Sequence, residues 1–160
     1  MIQDKDLAWL AGIWDGEGSI LLNKQRRAKE KIQITPCVYV GNTDILIMNK
    51  VRKILQQMDC SFHWQEKNLK SGKVFFVLQT TNLFTIQRFL TLINPFLVGT
   101  KQAYGETTLS YVSNRIAKAQ KKGVSIKNLS YDEEDFSYVE TSRSSTTTRE
   151  APIGEDIVYS

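Results

Sequence analysis

Apolar residues near the start of the chain recur with the spacing of a helix. The positions i, i+3, i+4 and i+7 of this pattern are Leu7, Leu10, Ala11 and Trp14. Their spacing predicts an amphipathic helix, for which Asp4 is the expected N-cap. The helical pattern stops at Gly16 and Gly18, and a strand is predicted from Ser19 to about Lys24. One acidic residue, Glu17, therefore stands between two glycines where the helix changes to a strand.

Alternation of apolar and polar residues predicts a second strand from Lys31 to Val40, after a polar loop over residues 25–31. Pro36 cannot donate a ladder hydrogen bond, so it implies an edge or a bulge at that point. The following segment Asn42-Thr43-Asp44 offers caps for an amphipathic helix that ends at about Met58.

The next part of the chain predicts a hairpin and two further helices. These are a strand pair at 60–67 and 73–80 around Lys70-Ser71-Gly72, a helix that is capped by Asn82 and ends before Pro95, and a polar helix at 101–121 closed by Gly123. The order αββαββα plus a C-terminal helix indicates an α+β fold with an antiparallel sheet. We predict one domain over residues 1–123 and an acidic, partly low-complexity tail over residues 124–160.

Charge is distributed unevenly along the chain. Residues 1–130 hold 19 Lys and Arg against 9 Asp and Glu, whereas residues 131–160 hold 2 against 8. Lys and Arg that neutralise phosphates release counterions, so a basic body of this kind suits a nucleic acid. An ordinary solvated basic surface is the alternative.

The few cysteines and the single histidine argue against a zinc protein and against a disulfide-rich secreted protein. Cys37 and Cys60 show no CxxC or Cys/His spacing, and His63 is the only histidine, so a zinc site is not expected. Two scattered cysteines do not make a disulfide framework, and the N-terminus lacks the layout of a secretory signal. No apolar run approaches the ~20 residues of a membrane span. We expect a soluble protein inside a cell or an organelle, with no membrane partner.

The segment Leu-Ala-Gly-Ile-Trp-Asp-Gly-Glu-Gly at residues 10–18 resembles the motif that names the LAGLIDADG homing endonucleases. The residues that match it are Leu10, Ala11, Gly12, Asp15, Gly16 and Gly18, and Glu17 conservatively replaces its last acidic residue. The order of elements also fits one LAGLIDADG domain, so the resemblance covers roughly residues 7–121 and implies a saddle-shaped antiparallel sheet. A core helix that ends at glycines and carries a solvated glutamate is the alternative.

The single copy of the motif implies a homodimer. In the family that it resembles, two such helices pack together and each motif supplies one acid, so two chains would be related by a two-fold axis. The residues expected at this interface are Leu7, Leu10, Ala11, Gly12 and Trp14. Packing of the same apolar face inside one chain is the alternative.

A carboxylate beside helix-terminal carbonyls suits a divalent cation. Such a cation can supply the nucleophilic water, the charge neutralisation and the leaving-group assistance that phosphodiester hydrolysis needs. We expect Mg²⁺, with Mn²⁺ able to substitute, held by Glu17 and the carbonyl of Gly16, and we interpret Asp15 as structural. The resemblance adds Lys101 and Asn42 as catalytic residues. The alternatives are a phosphate clamp for Lys101 and an N-cap for Asn42.

The predicted sheet offers a polar surface that can lie along the major groove, where base edges carry distinguishable hydrogen-bonding patterns. The candidate DNA contacts are Asn23, Gln25, Arg26, Arg27, Lys31, Gln33, Thr35, Tyr39, Gln65, Lys67, Lys73 and Gln79. In the hairpin, Phe75 and Val77 are expected on this outer side and Phe76 and Leu78 towards the core, although the pattern also allows the reverse. Each contact alone is equally compatible with a solvated sheet face, but the set favours nucleic acid.

The resemblance implies a sequence-specific endonuclease that makes double-strand cuts with 3′ overhangs in a long pseudo-palindromic DNA site. It further implies a gene within a mobile intron, in a chloroplast or mitochondrion or in the cytoplasm of a prokaryote. A second hypothesis is an RNA-splicing maturase, with intron RNA as partner, or a non-cleaving DNA-binding regulator on the same fold. A basic protein that binds nucleic acid without sequence preference is a third.

Overall fold

A computed structural model of the chain describes residues 1–26 and 32–144, with side chains through residue 139. Its helices and strands are α1 (Asp4–Glu17), β1 (Gly18–Arg26), β2 (Ile32–Asn42), α2 (Ile45–Gln57), β3 (His63–Asn68), β4 (Val74–Thr80), α3 (Leu83–Ile93), α4 (Gly99–Lys122) and α5 (Glu133–Ser144). Short 3₁₀ turns cover Asn94–Phe96 and Ile126–Asn128. The predicted αββαββα order and the α+β class are confirmed.

The four strands form one open antiparallel sheet in the order β1-β2-β4-β3. β1 and β2 pair without interruption, and Pro36 lies opposite Leu22 in that ladder. The pairing of β2 with β4 begins only at Val38. Among the described residues, Pro36 therefore has a strand neighbour on one side only. The edge position predicted for it is confirmed, and the bulge is not needed.

One face of the sheet is covered by helices and forms the core. Val38, Val40 and Leu78 on this face are at most 1% exposed. Full burial of a side chain of this size contributes about 1.5–3 kcal/mol relative to leaving it in water. The ring centroid of Trp14 from α1 lies 4.7 Å from that of Phe89 from α3, so the two helices meet through aromatic contacts in the centre of the core.

The opposite face of the sheet, which we call the outer face, is formed by the odd-numbered residues of all four strands. Directly paired residues of an antiparallel ladder lie on the same side. Tyr39 pairs with Gln79, and Gln65 pairs with Val77, so these residues share the outer face. The predicted face assignment of the hairpin is therefore confirmed.

Two helix boundaries follow the local signals predicted for them. The side chain of Asn82 accepts a hydrogen bond from the backbone N–H of Thr85 at 3.0 Å and caps α3. Gly123 ends α4 with φ 64°, a left-handed conformation that glycine adopts without a steric penalty.

One other cap, at the start of α1, differs from the prediction. Gln3, not Asp4, is the N-cap of α1, and its carbonyl accepts the N–H groups of Asp6 and Leu7. Asp4 is instead the first helical residue, where a carboxylate is favoured by the positive end of the helix dipole.

The face of α1 that was expected between two subunits is buried within the chain itself. Leu10, Ala11 and Trp14 are 0% exposed and Leu7 is 6% exposed. Of the five residues predicted for the interface, only Gly12 lies on the exposed side. The predicted interface is therefore corrected for Leu7, Leu10, Ala11 and Trp14. These residues form the apolar stripe of an amphipathic helix, and the stripe is buried against the core of the same domain.

Packed structure continues past Gly123, where the sequence predicted the domain to end. α5 contacts α4, β1 and β2, and Val139 on it is only 2% exposed. The guanidinium of Arg115 in α4 donates to the carbonyl oxygens of Leu129 at 3.0 Å and Ser130 at 2.7 Å, and to the Asp135 carboxylate at 3.3 Å. The predicted tail therefore begins with elements that complete the domain. Residues 145–160 lie outside the described residues.

The part of the chain that the structure describes contains no membrane helix and no disulfide bond. None of its helices combines the length and apolarity needed to cross a bilayer. Both cysteines are free. Burial raises the pKa of Cys60 to about 11, so this side chain is a neutral thiol at physiological pH.

Candidate active site and nucleic-acid interface

Glu17 is the last residue of α1, and β1 begins at the next residue, Gly18. The backbone N–H of Gly18 donates to the carbonyl oxygen of Trp14, which closes the helix. An added Cβ at Gly18 would lie 2.4 Å from the ring of Trp14. Only glycine therefore lets the strand start this close to the helix, and the result is an exposed carboxylate at a sharp corner of the fold.

Asn42 at the end of β2 lies beside this carboxylate. Its Nδ2 donates to Glu17 Oε2 at 2.5 Å, and its Oδ1 accepts the backbone N–H of Asp44 at 2.8 Å. Because the amide oxygen is used by Asp44, the amide NH₂ is the end that faces the carboxylate. Asn42 thus holds the Glu17 side chain in place. The N-cap alternative for Asn42 is wrong, since Asp44 caps α2 by accepting the N–H of Leu46 at 2.9 Å.

Lys101 lies in the first turn of α4 and reaches the C-terminal end of α1. Its Nζ donates to the carbonyl oxygens of Trp14 at 2.9 Å and Asp15 at 3.2 Å. A cation is stabilising there because the last carbonyls of a helix carry the negative end of its dipole. The Asp15 carboxylate accepts the N–H of Val98 at 3.4 Å, so it connects α1 to the start of α4. This contact agrees with the structural interpretation of Asp15.

The number and type of potential metal ligands at the helix–strand corner determine which metal ions it is suited to bind. Among the described residues, no three His, Cys, Asp or Glu side chains come together as a metal cage. Glu17 is the acidic side chain at the helix–strand corner, and the carbonyl of Gly16 is its neighbour in the chain. Mg²⁺ is usually held by one or two carboxylates, several waters and substrate phosphates. The site fits a hydrated Mg²⁺ of this kind and does not fit a closed protein cage.

The outer face brings together most of the predicted DNA contacts. Those on its strands are Asn23, Gln25, Gln33, Thr35, Tyr39, Gln65, Lys67 and Gln79. Lys73 is exposed in the hairpin just before β4. Arg26 is the last residue of β1 and pairs with Ile32, which places it on the helix side of the sheet rather than in a loop. Arg27 and Lys31 lie outside the described residues.

The strand residues that the structure places on the outer face include no carboxylate. They are Ser19, Leu21, Asn23, Gln25, Gln33, Thr35, Cys37, Tyr39, Gly41, His63, Gln65, Lys67, Phe75, Val77 and Gln79. The acidic α5 lies on the helix side, where Lys24 Nζ is 5.1 Å from the ring centroid of Phe136. A polyanion that approaches the outer face therefore meets no repulsion from the strand residues that the structure describes there.

The exposed side of α1 carries a stripe of small residues that the sequence analysis did not single out. Ala8, Gly12 and Gly16 recur every four residues and are all exposed. An added Cβ at Gly12 or Gly16 would meet nothing within 4 Å. Residues four apart lie on one side of a helix, and small residues let another backbone approach closely. The four-residue spacing of Ala8, Gly12 and Gly16 could have revealed this stripe in the sequence. The apolar pattern on the other side of α1 is more pronounced and drew the prediction of the interface to that side.

The α1–β1 corner and the open sheet define the class of fold: the chain has the fold of the LAGLIDADG homing endonucleases. Among solved structures it is similar to the homing endonuclease I-CvuI, crystallised with its target in 2 mM Ca. That match has a TM-score of 0.64 at 18% identity and covers 94% of this chain and 90% of I-CvuI.

Two further homing endonucleases have the same fold. I-CeuI, which is encoded by a group I intron and was solved with DNA, has a TM-score of 0.62 at 15% identity, covering 89% of this chain and 68% of its own. I-TnaI has a TM-score of 0.60 at 14% identity, covering 89% of both chains. The sequence matches no family model and has no significant match among curated proteins.

Proposed function

We propose that the protein is a homing endonuclease that binds a long pseudo-palindromic DNA site as a homodimer and cuts both strands with a divalent metal. The observation that carries this proposal is the position of Glu17. Its exposed carboxylate, oriented by Asn42, lies where β1 and β2 meet α1, and the described strand residues of the outer face carry no carboxylate. The solved relatives I-CvuI and I-CeuI were crystallised with DNA, which supports a DNA partner for the same fold.

The residues at the corner have separate tasks in this proposal. Glu17 and the Gly16 carbonyl would hold Mg²⁺, which when bound supplies positive charge at the phosphate and an acidified water. Asn42 fixes the orientation of the Glu17 carboxylate through its NH₂ group. Lys101 neutralises the carbonyl end of α1. In bound DNA its ammonium group would add positive charge beside the scissile phosphate.

Cutting two strands requires two such corners, and each chain supplies one motif. A dimer with a two-fold axis would place one Glu17 near each scissile phosphate. We assign the dimer contact to the small-residue stripe Ala8, Gly12 and Gly16, because it is exposed and open. The apolar residues on the other side of α1 are already used in the core.

Replacing Gly12 with leucine is expected to disrupt the dimer without harming the monomer. The monomer has open space at this position, and leucine is a better helix former than glycine by roughly 0.5–1 kcal/mol. We expect a shift to monomer at micromolar concentration in analytical ultracentrifugation, together with loss of double-strand cleavage, since one monomer carries one motif. Ala103→Leu, at an exposed position of α4, is the matched control. A Gly12→Leu protein that remains dimeric would place the interface elsewhere.

The proposed function is tested by incubating the protein with supercoiled DNA libraries that carry long randomised sites. We expect discrete double-strand cuts with 3′ overhangs in Mg²⁺ or Mn²⁺, and no cutting in EDTA. Competition with non-specific DNA at high salt removes binding that depends on phosphates alone. Specific retention of one site without cuts in any metal would instead favour the non-cleaving regulator.

A further inference from the structure

An apolar patch occupies the part of the outer face nearest to Glu17. It consists of Leu21, Tyr39, Phe75 and Val77. Leu21 is 39% exposed, and Val77 is only 4% exposed although it lies outside the core cluster. The ring of Phe75 lies over Gly41, where an added Cβ would come within 2.4 Å of it. The strand pairing places these four side chains on the side of the sheet that is proposed to meet DNA.

The position of the patch follows from the strand pairing. Tyr39 pairs with Ser19, two residues after Glu17, and Val77 pairs with Gly41, next to Asn42. The polar pair Gln25 and Gln33 lies six residues further along the same ladder. At about 3.3 Å per residue this is roughly 20 Å, or about six base pairs. The patch therefore faces the inner base pairs of a half-site, and the amides face the outer ones.

Because the patch is apolar, it is complementary to an apolar group on the edge of a base. In the major groove the thymine methyl group is the apolar recognition element, and the other distinguishing groups are donors and acceptors. Gln65 pairs with Val77 and Lys67 pairs with Phe75, so polar and cationic side chains border the apolar area. Such a surface matches a methyl group set among phosphates and polar base edges.

We propose that this patch reads thymine methyl groups at the inner base pairs of each half-site. The inference rests on the proposed function and extends it to sequence preference. Specificity then has two sources: apolar contacts near the cut and hydrogen bonds from the amides further out. The apolar contribution is insensitive to salt, because it does not depend on the release of counterions.

The test uses the site that the protein selects from randomised DNA and replaces each thymine in turn with deoxyuridine. This change removes the methyl group and keeps the hydrogen-bonding pattern. We expect binding about fourfold weaker for each inner methyl removed, and unchanged binding for outer positions. The same ratio should be found at low and high salt.

Variants identify the side chains responsible. In Leu21→Asn the difference between thymine and deoxyuridine should disappear at the inner position that Leu21 contacts. In Asn23→Ala the preference at an outer position should weaken while the inner difference persists. Leu46→Asn is the matched control, because Leu46 is 76% exposed on α2, away from the sheet face. It should leave all ratios unchanged.

The outcomes separate this inference from the proposed function. The protein could select and cut a site but bind it equally well with deoxyuridine at every inner position. This result would overturn the proposed recognition of thymine methyl groups and leave the proposed endonuclease function unaffected. A deoxyuridine effect that is unaltered in Leu21→Asn and in Phe75→Ala also overturns the role of the patch. If no site is selected at all, the proposed function fails and this inference fails with it.

Discussion

Substitution of Glu17 by glutamine is expected to abolish DNA cleavage while leaving DNA binding intact. The amide has nearly the same shape and its oxygen can still accept the hydrogen bond from Asn42, so the local structure should persist. What is lost is the negative charge that, in the proposed function, would hold a divalent cation. We expect a decrease in the single-turnover cleavage rate of at least about 10²- to 10³-fold, the size seen when one contact to transition-state charge is removed.

Two controls make this result specific to the helix–strand corner. Glu66→Gln removes a carboxylate from the helix side of β3, where it accepts a hydrogen bond from Trp64, and should cut normally. Glu17→Asp keeps the charge but shortens the side chain by one methylene, so it should weaken the contact with Asn42 and cut at an intermediate rate. Wild-type cleavage by Glu17→Gln would remove Glu17 from the mechanism.

The largest effect on stability is expected from Arg115→Met. The side chains of Arg115 and Asp135 are 2% and 0% exposed, and the guanidinium also binds two backbone carbonyls. Methionine would leave the Asp135 carboxylate buried without its cation. Breaking a buried pair in this way costs about 3–5 kcal/mol, because the remaining charge is uncompensated. Urea unfolding at one fixed protein concentration measures this loss in the free energy of unfolding.

An exposed ion pair in the same protein provides the comparison. Arg88 and Asp59 are 3.1 Å apart, but their side chains are 54% and 87% exposed. Arg88→Met should therefore cost only about 0–1 kcal/mol. Adding Asp135→Leu to Arg115→Met should recover part of the loss, since an apolar pair has no charge to desolvate. Equal stability of Arg115→Met and Arg88→Met would show that α5 contributes little to the domain.

Much of the fold was predictable because its signals are local. Asn82 caps the helix that follows it, and Gly123 ends the helix that precedes it, through contacts within a few residues. Alternation along β2 and the hairpin assigned the two faces of the sheet. The motif at residues 10–18 marked Glu17 in the same way, since two glycines and a change of periodicity surround it.

α5 was missed because nothing near it in the sequence explains its burial. Its first turn is acidic, and Arg115, which lies 20 residues before Asp135, has the character of a solvated helix residue. Only when α4 and α5 pack together does each charge become the partner that allows the other to be buried. A single sequence does not reveal such a pair, because both members favour water when considered alone.

The sequence by itself determined the order of elements, the faces of the strands and the acidic residue between two glycines. The tertiary structure decided which side of α1 is used in the core, and so which side remains open for a second chain. It also decided that Asn42 meets Glu17 across 25 residues and that Lys101 meets Trp14 across 87. Local patterns record each residue's preference for water or for the interior, whereas these contacts depend on how the packed elements bring distant parts of the chain together.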